Sequence, residues 1–446
     1  MPATEVHESL KEAQAQGFND TFSFRSGPKL VPRPKETPDD VDSIDNRVGF
    51  EPGEHDFLGD NLTLQLGNAK TVKAGEYYFD LPSGLSLTYG SIIGLAGDFY
   101  GTYEPISDGA TLPEQMDRFV NAYNTLAAKS EWQPADGKKL IGLLEDEKDK
   151  VNAAFKDRDK PGGIDPSVVY AGLQDLNNTF IKETAKRPDG VAGYLGLAVM
   201  NWDHFGVWAR KAYNAGHAHA MLVAAQGKGD VAALKRAYTM NAFADHYLTD
   251  SFSAGHMRTP RRQLHRFSST LPIPSDMDYC SKYMHDEDSA IGLRVVNPRG
   301  ETWRAYGDKR LLDRENDQNR AMCVSALRKS IQEIFHAWQT GSSISPDYFR
   351  AWDWAPVLDK VQSLKEPQDL APLFTYEDSP KRRNNLANRR KYEFTSWFTY
   401  PTTVVQIKAS GLWNYPIQLV GSLLGDAKPA EQVKVEETPL PATATV

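Results

Sequence analysis

The sequence predicts a mainly α-helical protein, because apolar residues recur at helical spacing through its middle and β-type alternation is scarce. The helical pattern begins at Pro113, after which Met116, Phe119, Val120 and Tyr123 fall on one face. Further helices are predicted over residues 140–155, 168–180, 192–200, 204–225, 231–252 and 319–338. A short turn at residues 227–230 joins two of them and predicts an antiparallel pair.

The two ends of the chain differ from this helical middle. Residues 1–80 are rich in Pro, Gly, Asp and Asn, which predicts a mostly irregular N-terminal extension. The helical domain is predicted to begin with the apolar segment at Leu81 and to run to residue 345. A C-terminal region over 346–426 follows, and the Pro-, Ala-, Thr- and Glu-rich residues 427–446 predict a disordered tail.

Composition limits the classes of function. The 446 residues are 40% hydrophobic and 25% charged, as in ordinary globular proteins. The net charge of −8 counts against general nucleic-acid binding, and no apolar run is long enough to predict a transmembrane helix. Residues 1–16 lack the apolar core of a secretory signal. We therefore expect either a cytoplasmic protein or a secreted one, whose signal has been removed or which is exported by another route. Cys280 and Cys323 are too few for a disulfide framework.

Histidines are the main chemical signal. Of the 10 histidines, seven lie between His204 and His285. His246 and Asp250 are four residues apart on a predicted helix and therefore share one face, where imidazole nitrogen and carboxylate oxygen suit zinc. That pair alone fits an ordinary helix-surface pair equally well. The antiparallel helices place His204 beside it, which favours a metal site.

A second metal site is predicted from the residues that follow. His256 comes after Gly255, which is expected to turn the chain back toward the first site. His285 and Asp288 are three residues apart and share a helical face, with Glu287 as the alternative carboxylate if the turn differs. His217 and His219 are only two residues apart and point in different directions, so ordinary packing or surface positions are expected for them.

These motifs resemble the zinc-dependent phospholipase C and S1/P1 nuclease superfamily over roughly residues 190–340. The resemblance rests on His204-Phe205, on the segment 212–216, on Phe243–Asp250 with its His-x3-Asp spacing, and on Gly255-His256. Residues 284–288 with Gly307-Asp308 are closest to the large bacterial phosphatidylcholine-hydrolysing branch. The resemblance implies a phospholipase C/P1 nuclease-like helical domain with two to three zinc ions.

The resemblance also implies roles for individual residues. His204, His246 and Asp250 would bind one zinc, and Asp250 would bridge to a neighbouring ion. His256 and His285 would bind another zinc together with Asp288, which lies one residue short of the family's His-x3-Glu spacing. Family members bind zinc through the amine of an N-terminal Trp that this chain lacks, and Asp98 is the candidate substitute. Asp98 or Asp203 is also the candidate catalytic base.

The function implied is a zinc-dependent phospholipase C. It would cleave phosphatidylcholine-type lipids to diacylglycerol and a phosphorylated head group by metal-bound hydroxide. No Gly-x-Ser-x-Gly or P-loop motif competes with this interpretation. The basic residues of 381–391, followed by Phe394, Trp397, Phe398 and Tyr400, would either contact an anionic membrane surface or form a solvated loop.

Two alternatives use the same residues. An S1/P1-like nuclease or 3′-nucleotidase would combine the zinc cluster with aromatic stacking of bases. A helical binding protein with a closed structural zinc would be non-enzymatic, and the shortage of cysteines disfavours it.

Overall fold

The computed structural model describes residues 52–67, 70–170, 175–188, 190–266 and 276–409. Over these residues the protein is mainly helical, as predicted. Most of the expected irregular extension and the whole of the expected tail lie outside the described residues. None of the described helices combines the length and the apolar composition that crossing a bilayer requires.

The described helices follow one another along the chain, and the connections between them range from tight turns to long segments that carry the strands. They are α1 (Pro52–Asp60), α2 (Tyr89–Leu95), α3 (Leu112–Ala127), α4 (Gln133–Asp157), α5 (Pro166–Tyr170), α6 (Asp175–Thr184), α7 (Tyr194–Val199), α8 (Gly206–Gln226), α9 (Val231–Asp250), α10 (Ala254–Met257), α11 (Arg261–His265), α12 (Asp276–Ile291), α13 (Asp317–Thr340), α14 (Leu358–Gln362) and α15 (Tyr400–Ala409). Short 3-10 turns lie at Ala74–Glu76, Ile106–Asp108, Trp202–His204, Arg314–Asn316, Pro346–Tyr348 and Arg350–Asp353.

The described strands form only two-stranded antiparallel sheets. They are β1 (Thr63–Gln65) with β2 (Thr71–Lys73), β3 (Phe79–Asp80) with β4 (Ser86–Leu87), β5 (Leu293–Val296) with β6 (Thr302–Ala305), and β7 (Arg382–Arg383) with β8 (Phe394–Thr395). In the longest pair, Leu293 lies opposite Ala305 and Val296 opposite Thr302.

Helices α8 and α9 form the antiparallel pair that the sequence predicts. Asp230 caps α9 by accepting a hydrogen bond from the Ala232 amide at 2.9 Å. Helix α13 packs on both members of the pair, while α2 packs on α9 and α3 packs on α8. Helix α9 is therefore buried continuously from Ala237 to Asp250, so its polar side chains need partners inside the protein.

The globular part begins before the boundary predicted at Leu81. Helix α1 packs against α2 at a close approach of backbones, where a Cβ on Gly59 would lie 2.5 Å from the Cα of Gly90. Leu58, Leu62 and Leu64 are buried in the main core. Residues 52–67 and 70–80 thus pack as part of the helical domain.

The C-terminal region packs on helix α12 up to Ala409. Leu373 and Phe374 share a buried cluster with Met277 and Met284 of that helix. Within the basic stretch, Arg383 is fully buried. Arg383 therefore lies in the protein interior rather than on a solvated surface.

Candidate metal centre

Asp250 lies at the centre of a buried group of histidines. Its Oδ2 is 2.9 Å from His204 Nδ1 and 3.5 Å from His246 Nε2. Its Oδ1 is 3.1 Å from His256 Nδ1 and 3.6 Å from His55 Nε2. One carboxylate at the end of α9 thus meets imidazoles from four separate segments.

Asp98 approaches the same group from the loop after α2. Its Oδ1 is 3.9 Å from His204 Nδ1, and its Oδ2 is 3.9 Å from His246 Nε2. This approach requires Gly97, which has a φ of +70°. A Cβ on Gly97 would lie 2.8 Å from His204 Cε1 and 2.9 Å from His246 Cδ2, so only glycine brings the loop this close.

A second group adjoins the first through His256. His285 Nε2 lies 3.1 Å from Asp308 Oδ2, and His256 Nε2 lies 3.6 Å from the same oxygen. The rings of His256 and His285 are 4.9 Å apart. Asp308 is held in place by Ser253, whose hydroxyl donates to Oδ1 at 2.6 Å.

Hydrogen bonds from the outer nitrogens orient three of the imidazoles. His246 Nδ1 donates to the carbonyl of Ile93 at 2.9 Å, because a carbonyl can only accept. His285 Nδ1 lies 2.9 Å from Asp286 Oδ1, and His55 Nδ1 lies 2.7 Å from the Thr249 hydroxyl. A proton on each Nδ1 leaves each Nε2 lone pair facing inward, which is the usual arrangement around a protein-bound metal.

The donor set fits divalent cations of the zinc type. Three combinations bring ligand atoms within 4.8 Å of one another: His55, Asp98 and His246; His204, His246 and Asp250; and His256, His285 and Asp308. Two ligand atoms each about 2.0–2.1 Å from a tetrahedral zinc lie about 3.3 Å apart, close to the separations around Asp250. Within the described part of the chain, the buried oxygens of Asp98 accept no hydrogen bond, which leaves both available to a cation.

Burial and neighbouring charges shift the pKa values of the candidate ligands in both directions. Burial raises the pKa of Asp98 to about 8 in spite of its neighbour His204. Burial would also raise the pKa of Asp250, but His246, His256 and His204 hold it well below its usual range. Burial lowers the pKa of His246 well below the usual value, so this imidazole is neutral and able to bind metal.

The structure brings most of the predicted ligands together. His204, His246, Asp250 and His256 converge as the lengths of α8 and α9 suggest, although His204 lies on a 3-10 turn just before α8 rather than within it. His285 also joins the cluster. Gly255 allows the close approach of α10 and α12, because a Cβ there would lie 2.5 Å from His285 Cδ2.

Asp288 does not take the predicted position. It forms a bidentate ion pair instead, in which Arg258 Nε and Nη2 donate to its two oxygens at 2.9 and 2.8 Å. The alternative, Glu287, is likewise paired with Arg383 at 2.9 Å. The carboxylate that meets His285 is Asp308.

Asp203 has a structural position beside the cluster. Its two oxygens accept hydrogen bonds from the backbone amides of Ile106 and Ser107, and thus hold the 3-10 turn Ile106–Asp108 next to His204. Burial raises its pKa to about 6. With both oxygens occupied by amides, Asp203 is poorly placed to act as the catalytic base.

Two residues of the cluster were not among the predicted ligands. His55 arrives on α1, and Asp308 follows β6 in Gly307-Asp308. A Gly-Asp pair after a strand was the only local signal for Asp308, and His55 had none. Two of the other described histidines have ordinary partners: His217 lies 3.0 Å from Glu333, and His265 lies 3.1 Å from Asp278.

A small pocket opens beside His204. Its polar lining includes Thr102, Glu104, Asn201 and Asp203, and its apolar lining includes Leu197, Met200 and the ring of Tyr247. Among the described residues that line it, none is a lysine or an arginine. The pocket therefore offers a partly acidic, partly aromatic surface next to the candidate metal ligands.

Fold and site together define a helical protein with a candidate centre for several metal ions. Comparisons with family models, with curated proteins and with solved structures find no match to this chain.

Proposed function

We propose that the protein is a zinc-dependent phosphoesterase of the phospholipase C type. The single observation that supports this most is the position of Asp250, which contacts His55, His204, His246 and His256 at 2.9–3.6 Å. A carboxylate shared by so many imidazoles is suited to bridging adjacent metal ions. Sites with several metals are used widely for phosphoryl chemistry.

The side chains divide into holding and orienting roles. His204, His246, Asp98 and His55 would hold metal around Asp250, while His256, His285 and Asp308 would hold a further ion. Bound zinc would supply Lewis acidity toward phosphoryl oxygens and would lower the pKa of a coordinated water toward neutrality. Ile93, Thr249 and Asp286 keep the imidazole rings turned so that Nε2 faces the centre.

The pocket beside His204 supports a substrate with a cationic head group rather than a nucleotide. Glu104 and the ring of Tyr247 line it, and acidic and aromatic groups attract quaternary ammonium. A nucleic-acid site would instead carry arginine or lysine for the phosphates that flank the scissile bond. We therefore propose a phosphatidylcholine-type lipid as substrate and keep the S1/P1-like nuclease as the alternative.

Contact with the membrane is proposed to involve aromatic groups more than the basic stretch. Arg383 is buried against Glu287, and Arg382 donates to the Thr403 hydroxyl at 2.9 Å. Trp397, in contrast, is 90% exposed. An exposed indole suits the interface between water and lipid.

The experiment combines metal analysis with two substrates. Purified full-length protein is expected to contain two to three zinc ions, to lose activity on phosphatidylcholine vesicles after chelation, and to regain it with Zn²⁺. Hydrolysis of single-stranded DNA in preference to lecithin would favour the nuclease. Lipid hydrolysis that is insensitive to chelation, or a protein that binds no zinc, would contradict the proposal.

A further inference from the structure

Helix α12 carries three buried carboxylates, each paired with a buried arginine. Asp278 pairs with Arg261, Glu287 with Arg383, and Asp288 with Arg258. Buried ion pairs contribute little net stability, because two desolvated charges offset most of their mutual attraction. Three such pairs on the helix that carries His285 suggest a positional role.

The pair formed by Arg258 and Asp288 joins the segments of two candidate ligands. Arg258 lies two residues after His256, and Asp288 lies one helical turn after His285. The guanidinium donates to both oxygens of Asp288 at 2.8 and 2.9 Å, and both side chains are almost fully buried. A bidentate fork fixes distance and orientation together, so it sets the separation of the two histidines.

The packing around this pair leaves the two segments little freedom. A Cβ on Gly255 would lie 2.3 Å from the Ser289 hydroxyl and 2.7 Å from the carbonyl of His285. Helices α10 and α12 are therefore in backbone contact beside the histidines. Loss of the fork would allow this contact to open, and the spacing between His256 and His285 would then change.

Residues of the C-terminal region also contact the ion pairs beside these two histidines. Arg258 also donates to the carbonyl of Leu370 at 3.1 Å. Glu287 accepts hydrogen bonds from Arg383 at 2.9 Å and from Arg389 at 2.7 Å. The segments that carry His256 and His285 are thus bound to residues 370–389, whereas Asp250 and His246 lie on α9 and His55 lies on α1.

We infer that Arg258 and Asp288 are positioning residues for the metal held by His256, His285 and Asp308. This inference rests on the proposed zinc centre. In this inference Asp288 does not bind metal but holds the backbone segment of His285 against that of His256. Changes in residues that orient metal ligands weaken metal binding by about 10- to 100-fold.

The test is a titration of metal-free full-length protein with Zn²⁺ and, for its visible spectrum, with Co²⁺. The variants are D288N, R258K and the double variant Arg258→Met with Asp288→Leu. The double variant removes both charges and so leaves no unpaired buried ion. Replacing both partners of a buried ion pair by apolar residues commonly keeps the protein stable. We expect it to melt near the wild-type temperature while one metal equivalent per chain binds about 10- to 100-fold more weakly.

Metal affinity and melting temperature are compared so that a displaced metal ligand can be told apart from a loss of protein stability. R258K keeps the charge but loses the fork, and it is expected to weaken the same equivalent. D317N, which breaks the more exposed pair of Asp317 with Arg158 at 2.8 Å, serves as the control and should leave all metal affinities unchanged. Wild-type affinity for every equivalent in both the double variant and R258K would overturn the inference. Absence of metal binding in the wild-type protein would instead refute the proposed function.

Discussion

At the scale of single residues, Asp250 has the largest number of contacts with other candidate ligands. Asp250→Asn keeps the shape of the side chain but removes its charge and one of its two acceptor oxygens. Because both oxygens face imidazoles, more than one metal equivalent should weaken, each by about 100-fold or more. Zinc content after dialysis and hydrolysis of phosphatidylcholine would measure the effect.

The control for Asp250→Asn lies at the other end of the same helix. Asp230→Asn exchanges one good N-cap residue for another and should leave zinc content and activity unchanged. Full zinc occupancy in Asp250→Asn would show that this carboxylate does not bridge metal ions.

Asp203 offers a test of a catalytic against an anchoring role. Asp203→Asn can accept from only one of the two amides of Ile106 and Ser107, so the wall of the pocket beside His204 should loosen. We expect an unchanged zinc content and a loss of kcat/KM of about tenfold or less, mainly through KM. Loss of a general base would lower kcat by about 10²–10⁴-fold, and a loss of that size would return Asp203 to the catalytic role.

At the scale of elements, the contact of α1 with α2 positions His55. Gly59→Ala would place a Cβ 2.5 Å from the Cα of Gly90, so the helices must separate. We expect a loss of about 1–3 kcal/mol in the free energy of unfolding, as for other overpacked interiors. Because His55 lies one helical turn before Gly59, zinc binding should weaken as well. Thermal melting and zinc titration would measure both effects.

Gly142→Ala is the matched control on α4. A Cβ at this position meets nothing within 4 Å, and alanine is favoured over glycine inside a helix. The expected change is a stabilisation of about 0.5–1 kcal/mol with unchanged zinc affinity. If Gly59→Ala behaved like Gly142→Ala, the close contact would not be what holds His55.

The sequence could predict those metal ligands whose positions follow from helical spacing, but not those whose positions depend on packing between distant segments. His246 and Asp250 follow from helical spacing, and the lengths of α8 and α9 bring His204 to them. His55 depends on the docking of α1 on α2, which no spacing within α1 encodes. Asp288 pairs with Arg258 instead of meeting His285, and the spacing of residues within α12 cannot show where that arginine lies.

At the scale of the whole molecule, the helical class was predictable and the extent of the domain was not. The helical pattern in the middle of the chain was strong enough to predict a mainly α protein. The apolar residues of 52–80 are few and interrupted by turns, so their burial depends on surfaces provided by later helices. Likewise, the sequence predicts an exposed basic stretch at residues 381–391, because it does not show that Arg383 pairs with Glu287 in the interior.

The stability of the whole protein should depend on metal in a manner set by pH. Asp98, Asp250 and Asp308 place three carboxylates beside histidines in a mostly buried cluster, so protons and metal ions would compete for the same side chains. Metal present at 100 to 1,000 times its Kd would add about 2.7–4.1 kcal/mol to the free energy of unfolding. Imidazoles bind metal only when neutral. Burial lowers the pKa of His256, but Asp308 and Asp250 raise it to about 10, so protons compete with metal at this residue up to about that pH. The metal-dependent part of the stability should therefore increase with pH up to about pH 10 and should decline in acid. Melting temperatures with zinc and with chelator, compared at about pH 8 and pH 5, would show a gap that closes in acid. A gap of equal size at both pH values would contradict ligation by histidine, because the carboxylates of Asp250 and Asp308, whose pKa values the neighbouring histidines hold well below the usual range, would remain ionised across that range.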